Sequence, residues 1–297
     1  KDALKANTIG NTNIAIGTDA MTTNVAADRN VAVGEQALQN MTAATSTDTY
    51  NIGVGYNAGL SITSGLRNTA VGGLALDALT TENDNVAVGY NALGAEVSGF
   101  RNVAVGSSAG STQNGGTNNA LFGYYAGAAI TTGDANTFIG SDCGDANTTA
   151  SNNTAIGDSA LSANTTGSGD VAIGHNSLIS NTEGSQQVAV GKDSMYSNTT
   201  GYNNTAIGKD ALATNTTGYD NVAIGRNSLD ANVGGHSNTA VGESSLTSNT
   251  EGDRNIAIGQ NAMAVNTTGG ENVAIGRNAL DANTTASNNT AIGDSAL

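Results

Sequence analysis

The stretch Asn204-Thr205-Ala206-Ile207-Gly208-Lys209-Asp210-Ala211-Leu212-Ala213-Thr214-Asn215-Thr216-Thr217-Gly218 decides the fold, because its pattern returns along the whole 297-residue chain. Glycines that close the pattern Asn-x-x-[Ile/Val/Phe]-Gly fall at Gly17, Gly34, Gly55, Gly72, Gly89, Gly106, Gly123, Gly140, Gly157, Gly174, Gly191, Gly208, Gly225, Gly242, Gly259, Gly276 and Gly293. Fifteen of the sixteen intervals are 17 residues, and the one from Gly34 to Gly55 is 21. A fixed period of this length is the mark of a solenoid, since a 17-residue unit cannot bury its own few apolar residues and must stack on its neighbours.

Each position of the repeat has a physical reading. The tripeptide before the glycine, as in Val222-Ala223-Ile224, is β-branched at both ends with alanine between, a short strand with one large and one small face. Glycine then lets the chain bend. Three residues on, every copy carries Ala, Ser or Cys, followed in most by Leu or Met, which predicts a second short strand or a corner. The Asn-Thr-Thr-Gly stretch is turn chemistry. Stacking in phase puts Asn on Asn four residues before each glycine, where Asp170 and Gln187 are the two exceptions. Such amides either form a hydrogen-bonded ladder, as in cross-β assemblies, or serve the backbone of a turn. The expected fold is all-β: a parallel β-solenoid (β-roll) of 17-residue coils forming one tandem array over residues 1–297. At ~4.8 Å per coil the array predicts a rod of roughly 80 Å.

Composition agrees. The chain has 40 glycines, no proline, no tryptophan and 3 phenylalanines, so its core must be built from Ala, Val, Ile and Leu. The net charge of −15 disfavours nucleic acid and anionic membrane as partners. No stretch approaches the length of a membrane helix. The large and small faces of the strand are both apolar although a lone coil needs one buried face. The small face is therefore expected to meet another chain or layer, making the solenoid a homo-oligomer. Neither end carries a capping repeat, so the sequence is read either as a window of a longer array or as a subunit stacking head to tail into a filament.

The recurring Asn-x-Ala-Ile-Gly-x-x-Ala, as in Asn153 to Ala160 and Asn289 to Ala296, resembles the head repeats of trimeric autotransporter adhesins and the Asn-Thr-Ala-[Ile/Val]-Gly repeats of some phage tail-fibre proteins. That resemblance implies a left-handed parallel β-roll in each of three chains and a role in attachment, at an extracellular site, a cell surface or a virion. The adhesin repeat is shorter than 17 residues, and no neck, stalk or anchor pattern is present in this sequence.

The irregular places are few. The 4-residue insertion lies within residues 41–50 and predicts a bulged loop. Residues 106–144 are the least regular and residues 140–297 the most. Glycine replaces the expected leucine at Gly59, Gly110, Gly127 and Gly144, while bulkier residues, among them Phe122, Tyr124 and Tyr125, gather nearby.

Catalytic constellations do not assemble from this inventory. His175 and His236 stand at different phases, and Cys143 stands where other copies carry Ala or Ser. The glycines are explained by the period rather than by a phosphate loop. The expectation is a non-enzymatic structural or adhesive rod, a segment of an extracellular fibre, with no cofactor and no metal. Its partners are other copies of itself and a surface glycan or protein receptor. The alternative is a ligand-binding solenoid that recognises glycan or ice through its outer turns, with Tyr124 and Tyr125 as the candidate patch. Asn147, Asn164, Asn198, Asn215, Asn266 and Asn283 open Asn-x-Thr sequons in the outer turn, and Asn152, Asn203 and Asn288 do so just before the strand, as candidate N-glycosylation sites.

Overall fold

A computed structural model describes residues 1–43 and 45–297. The fold is all-β, a parallel β-solenoid with a 17-residue repeat, in two compact units, Lys1–Ser151 and Asn152–Leu297. In the first unit three-residue strands recur from Ile14–Ile16 to Thr137–Ile139, and in the second from Thr154–Ile156 to Thr290–Ile292. Neighbouring strands pair in parallel with the repeat in register: Ile14 lies beside Val31, Val86 beside Val103, Thr205 beside Val222 and Val273 beside Thr290.

The strand faces are the reverse of the arrangement expected from side-chain size. The central alanine of the strand points inward and is fully buried, as at Ala32, Ala87, Ala155, Ala206 and Ala257. The β-branched residues on either side point outward and remain partly exposed. Where leucine fills the corner, the coil leaves no room for a large side chain at the strand centre. At Gly53, the one coil with glycine there, a Cβ would already stand 2.8 Å from Leu38 Cγ and 2.9 Å from the Ala58 carbonyl oxygen. The small face is thus the core, and the large apolar face is the one left open.

The segment after each glycine is a corner rather than a second strand. In the coil of Gly208, Asp210 and Leu212 both adopt left-handed backbone, with φ of 55° and 54°. Left-handed leucine costs about 1–2 kcal/mol. Its complete burial against the neighbouring coils outweighs that cost, since burying a leucine side chain contributes about 1.5–3 kcal/mol. Glycine at Gly59, Gly110, Gly127 and Gly144 keeps the same φ, 57–62°, without strain. The vacated volume is filled from other positions. A Cβ on Gly110 would meet Leu121 and Leu93, and one on Gly144 would meet the Phe138 ring. Leu121 and Phe138 occupy the strand-centre position and are fully buried. Phe122, Tyr124 and Tyr125 take no part in this filling and stay exposed.

The conserved-phase glycine itself is fixed by close approach. Gly208 has φ of +139°, and a Cβ on it would lie 2.5 Å from the Gly225 carbonyl oxygen of the next coil. The insertion is absorbed outside the stack. Ala44 lies outside the described residues, while Thr47–Asp48 pairs in parallel with Ala27–Asp28 and the core register resumes at Asn51.

Candidate functional site

Two columns of asparagine hold the coils together, and they decide what the turn residues are free to do. In the first column each amide oxygen accepts from the backbone N–H seventeen residues on, as Asn204 Oδ1 does from Asn221 N at 3.0 Å. The amide nitrogen donates to a turn carbonyl, Asn204 Nδ2 to Gly218 O at 2.8 Å. Ladder and backbone service are therefore one device. Even across the insertion, Asn51 N donates to Asn30 Oδ1 at 2.8 Å.

The second column is formed by the turn asparagines. Asn215 Nδ2 donates to Asn198 Oδ1 at 2.7 Å and to Gly218 O at 3.0 Å, and Asn232 repeats both bonds at 2.7 Å and 2.9 Å. Asn147, Asn164, Asn198, Asn215 and Asn266 are fully buried. Their Nδ2 atoms, where a glycan would be attached, donate inward instead. Asn283, at the last turn, is half-buried and donates to Asn266 Oδ1 at 2.9 Å. Asn152, Asn203 and Asn288 are exposed. The first threonine of the turn pair is committed as well: Thr199 Oγ1 donates to Thr216 O at 3.0 Å and Thr267 Oγ1 to Thr284 O at 3.0 Å.

In the first unit the second column changes character. Met41, Ile62, Leu79 and Ile130 replace asparagine with buried apolar side chains. Glu96 and Gln113 form a buried pair, with Gln113 Nε2 donating to Glu96 Oε2 at 2.8 Å. Backbone N–H groups of Gly99 and Gly115 donate to the other Glu96 oxygen at 2.5 Å and 2.9 Å, so this buried carboxylate is fully engaged in structure.

The chemistry-bearing side chains are dispersed. Cys143 is buried at the Ala/Ser position, and desolvation pushes its thiol up to about 12, far from a nucleophilic thiolate. His175 is half exposed and 3.5 Å from Asp158. His236 lies at another phase, 3.3 Å from Asp253. Its ring continues a surface stack in which Tyr202 lies on Tyr219 at 4.9 Å and Tyr219 on His236 at 4.6 Å. Tyr124 and Tyr125 are exposed and meet edge to face, with ring centroids 4.4 Å apart and planes at 81°. A shallow polar hollow is lined by Glu251, Asp253, Arg254, Glu271, Ser287 and Asn288, where Arg254 pairs with Glu271 at 2.6 Å.

The most extensive surface feature is the outward strand face. The residue just before the glycine is Val, Ile or Phe in every copy. Within the second unit Ile156, Ile207, Ile224, Ile258 and Ile275 are each 37–40% exposed. In the first unit Phe122 and Ile139 match them at 39% and 40%. A second outward column, three residues before the glycine, is Val, Thr or Ile in every copy but that of Ala120. Sequence reasoning located both strand faces but assigned the wrong one to the core; the signal was the small central residue, alanine in all copies but Gly53, Leu121 and Phe138.

No model of a known protein family matches the chain, and no curated protein matches it either.

Proposed function

We propose that this chain is a non-enzymatic structural module of an extracellular fibre, in which copies associate laterally through the outward Val/Ile face. The observation that carries this reading is the outer column of Val and Ile, with Phe122 the one other residue, partly exposed in coil after coil. Monomeric soluble proteins rarely leave so long an apolar stripe open to water. Covering a parallel sheet on both faces is the ordinary outcome for such strands.

The resemblance to trimeric adhesin heads and tail-fibre repeats supports three chains, a left-handed roll and a role in attachment at a cell surface or virion. Head-to-tail stacking of the same coils is the second route to a fibre, because a solenoid end presents the same unpaired strand edge it uses internally. Electron micrographs of the native material with a mass measurement test the reading. Fibres, or particles that hold two or more copies of the chain, are expected. A dilute monomer with its apolar face bare overturns it.

A further inference from the structure

The residue immediately after the conserved-phase glycine forms its own surface column. In the first unit it runs Thr18, Glu35, Tyr56, Gly73, Tyr90, Ser107, Tyr124, Ser141. Tyrosine thus returns every 34 residues, in alternate coils, with a small residue between. The three tyrosines are almost equally exposed, at 54%, 59% and 54%. With parallel strands ~4.8 Å apart, consecutive tyrosines stand about 9.6 Å apart along the coil axis.

The small residues let the rings lean over them. A Cβ on Gly73 would lie 3.7 Å from Tyr90 Cδ2, so the Tyr90 ring covers the neighbouring coil at this glycine. Tyr125 meets the Tyr124 ring edge to face, with the planes at 81°. Charge stands only at the two ends of the row, Glu35 one coil before Tyr56 and Asp142 beside Tyr124. From Tyr56 to Tyr125 this column and the next, Asn57, Leu74, Asn91 and Ser108, contain no acid or base. In a chain of net charge −15 that is a neutral strip, bordered on the strand side by Val54, Val71, Val88 and Val105.

The geometry points to Tyr56, Tyr90 and Tyr124 as three stacking platforms for an extended, uncharged β-1,4-linked glycan. Pyranose rings present axial C–H faces that pack on aromatic rings, whose faces carry negative potential. In a β-1,4-linked chain each ring is turned over relative to the last, so an equivalent face recurs every second sugar. That two-sugar repeat is close to the two-coil spacing of the tyrosines. An anionic polysaccharide would be repelled by the protein's net charge. An α-1,4-linked chain coils and cannot meet three platforms in a line. This row adjoins the strand face of the proposed association, two residues on from its outward column, without including that column's residues.

The test uses the full chain in its native assembly. Cellohexaose and chitohexaose are titrated by calorimetry and by tyrosine emission, which is unobscured because the chain lacks tryptophan. Maltohexaose serves as the α-linked control, and particle mass is measured on the same samples. Saturable binding of one or both β-linked hexasaccharides is expected, weaker for the disaccharides and absent for maltohexaose. Tyr90→Ala should reduce affinity at least tenfold and Tyr56→Ala or Tyr124→Ala several-fold, while Tyr202→Ala leaves it unchanged. All four side chains are exposed, so an unaltered melting transition verifies folding. Absence of binding by either β-linked hexasaccharide overturns the proposal, as does binding unaffected by Tyr90→Ala. A change of particle mass in Tyr90→Ala without any glycan binding would assign the row to a second copy instead.

Discussion

The backbone N–H of Gln187 donates a 2.9 Å hydrogen bond to Oδ1 of Asp170, which occupies with a carboxylate the rung that asparagine fills in most coils. At this rung an asparagine has an Nδ2 that donates to the carbonyl fourteen residues on, as Asn153 does to Gly167 and Asn204 to Gly218. An ionised Asp170 has no proton to give there. Burial raises its pKa to about 7, against the backbone bond from Gln187, which lowers it. Since the folded value lies above the unfolded one, the neutral acid stabilises the fold below pH ~4, and that contribution is lost as pH rises through about 7. At 1.36 kcal/mol per pKa unit the loss at pH 8 is on the order of 4 kcal/mol. Asp170→Asn is therefore expected to raise the denaturation midpoint strongly at pH 8 and barely at pH 4. Denaturant titrations of both proteins at the two pH values check this, and an equal gain at both would contradict the assignment.

Glycine substitutions should separate close approach from backbone conformation. Gly208→Ala places a methyl 2.5 Å from the Gly225 carbonyl oxygen and is expected to cost roughly 3 kcal/mol or more. Gly169→Ala also sits at positive φ, 74°, but its nearest neighbour is Gln186 Cγ at 3.8 Å. It should cost only about 1 kcal/mol. Melting curves of the two variants give the comparison directly.

The fold was legible because period, strand and turn chemistry all point to one answer. The 34-residue recurrence of Tyr56, Tyr90 and Tyr124 was equally present in the sequence, hidden by reading Tyr124 and Tyr125 as a local irregularity. The inversion of the strand faces was not legible. A Val-Ala-Ile strand is apolar on both sides, and only the volume left by the corner residues of the stacked coils determines what fits inside: alanine in most coils, Leu121 and Phe138 beside corner glycines. The buried role of the turn asparagines was also out of reach, since Asn-Thr-Thr-Gly composition describes a solvated turn equally well. What placed Asn215 inside is its bond to Asn198, a relationship between residues seventeen apart.

That second amide column makes a further prediction. Asn232→Ala removes two donated bonds and leaves Asn249 Nδ2 without its 3.0 Å acceptor, at an expected cost of about 3 kcal/mol. Thr217→Ala, at an exposed position, should change stability by less than about 0.5 kcal/mol. The same burial bears on modification. In folded protein recovered from a glycosylating host, Asn164, Asn198, Asn215 and Asn266 are expected to be unmodified, which peptide mass mapping after glycosidase treatment would read out.

The central claim is that the outward Val/Ile face is an association surface. Ile224 and Ile258 belong to that column in the second unit and point outward, 38% and 39% exposed. Replacing both by lysine leaves the Ala core and both amide columns untouched. Light scattering coupled to size exclusion, run on the parent and on the Ile224→Lys/Ile258→Lys variant, tests it most directly. The account predicts a multimeric parent and a folded variant at the monomer mass of 29.3 kDa. A parent that is already monomeric, or a variant whose multimer mass is unchanged, would contradict it.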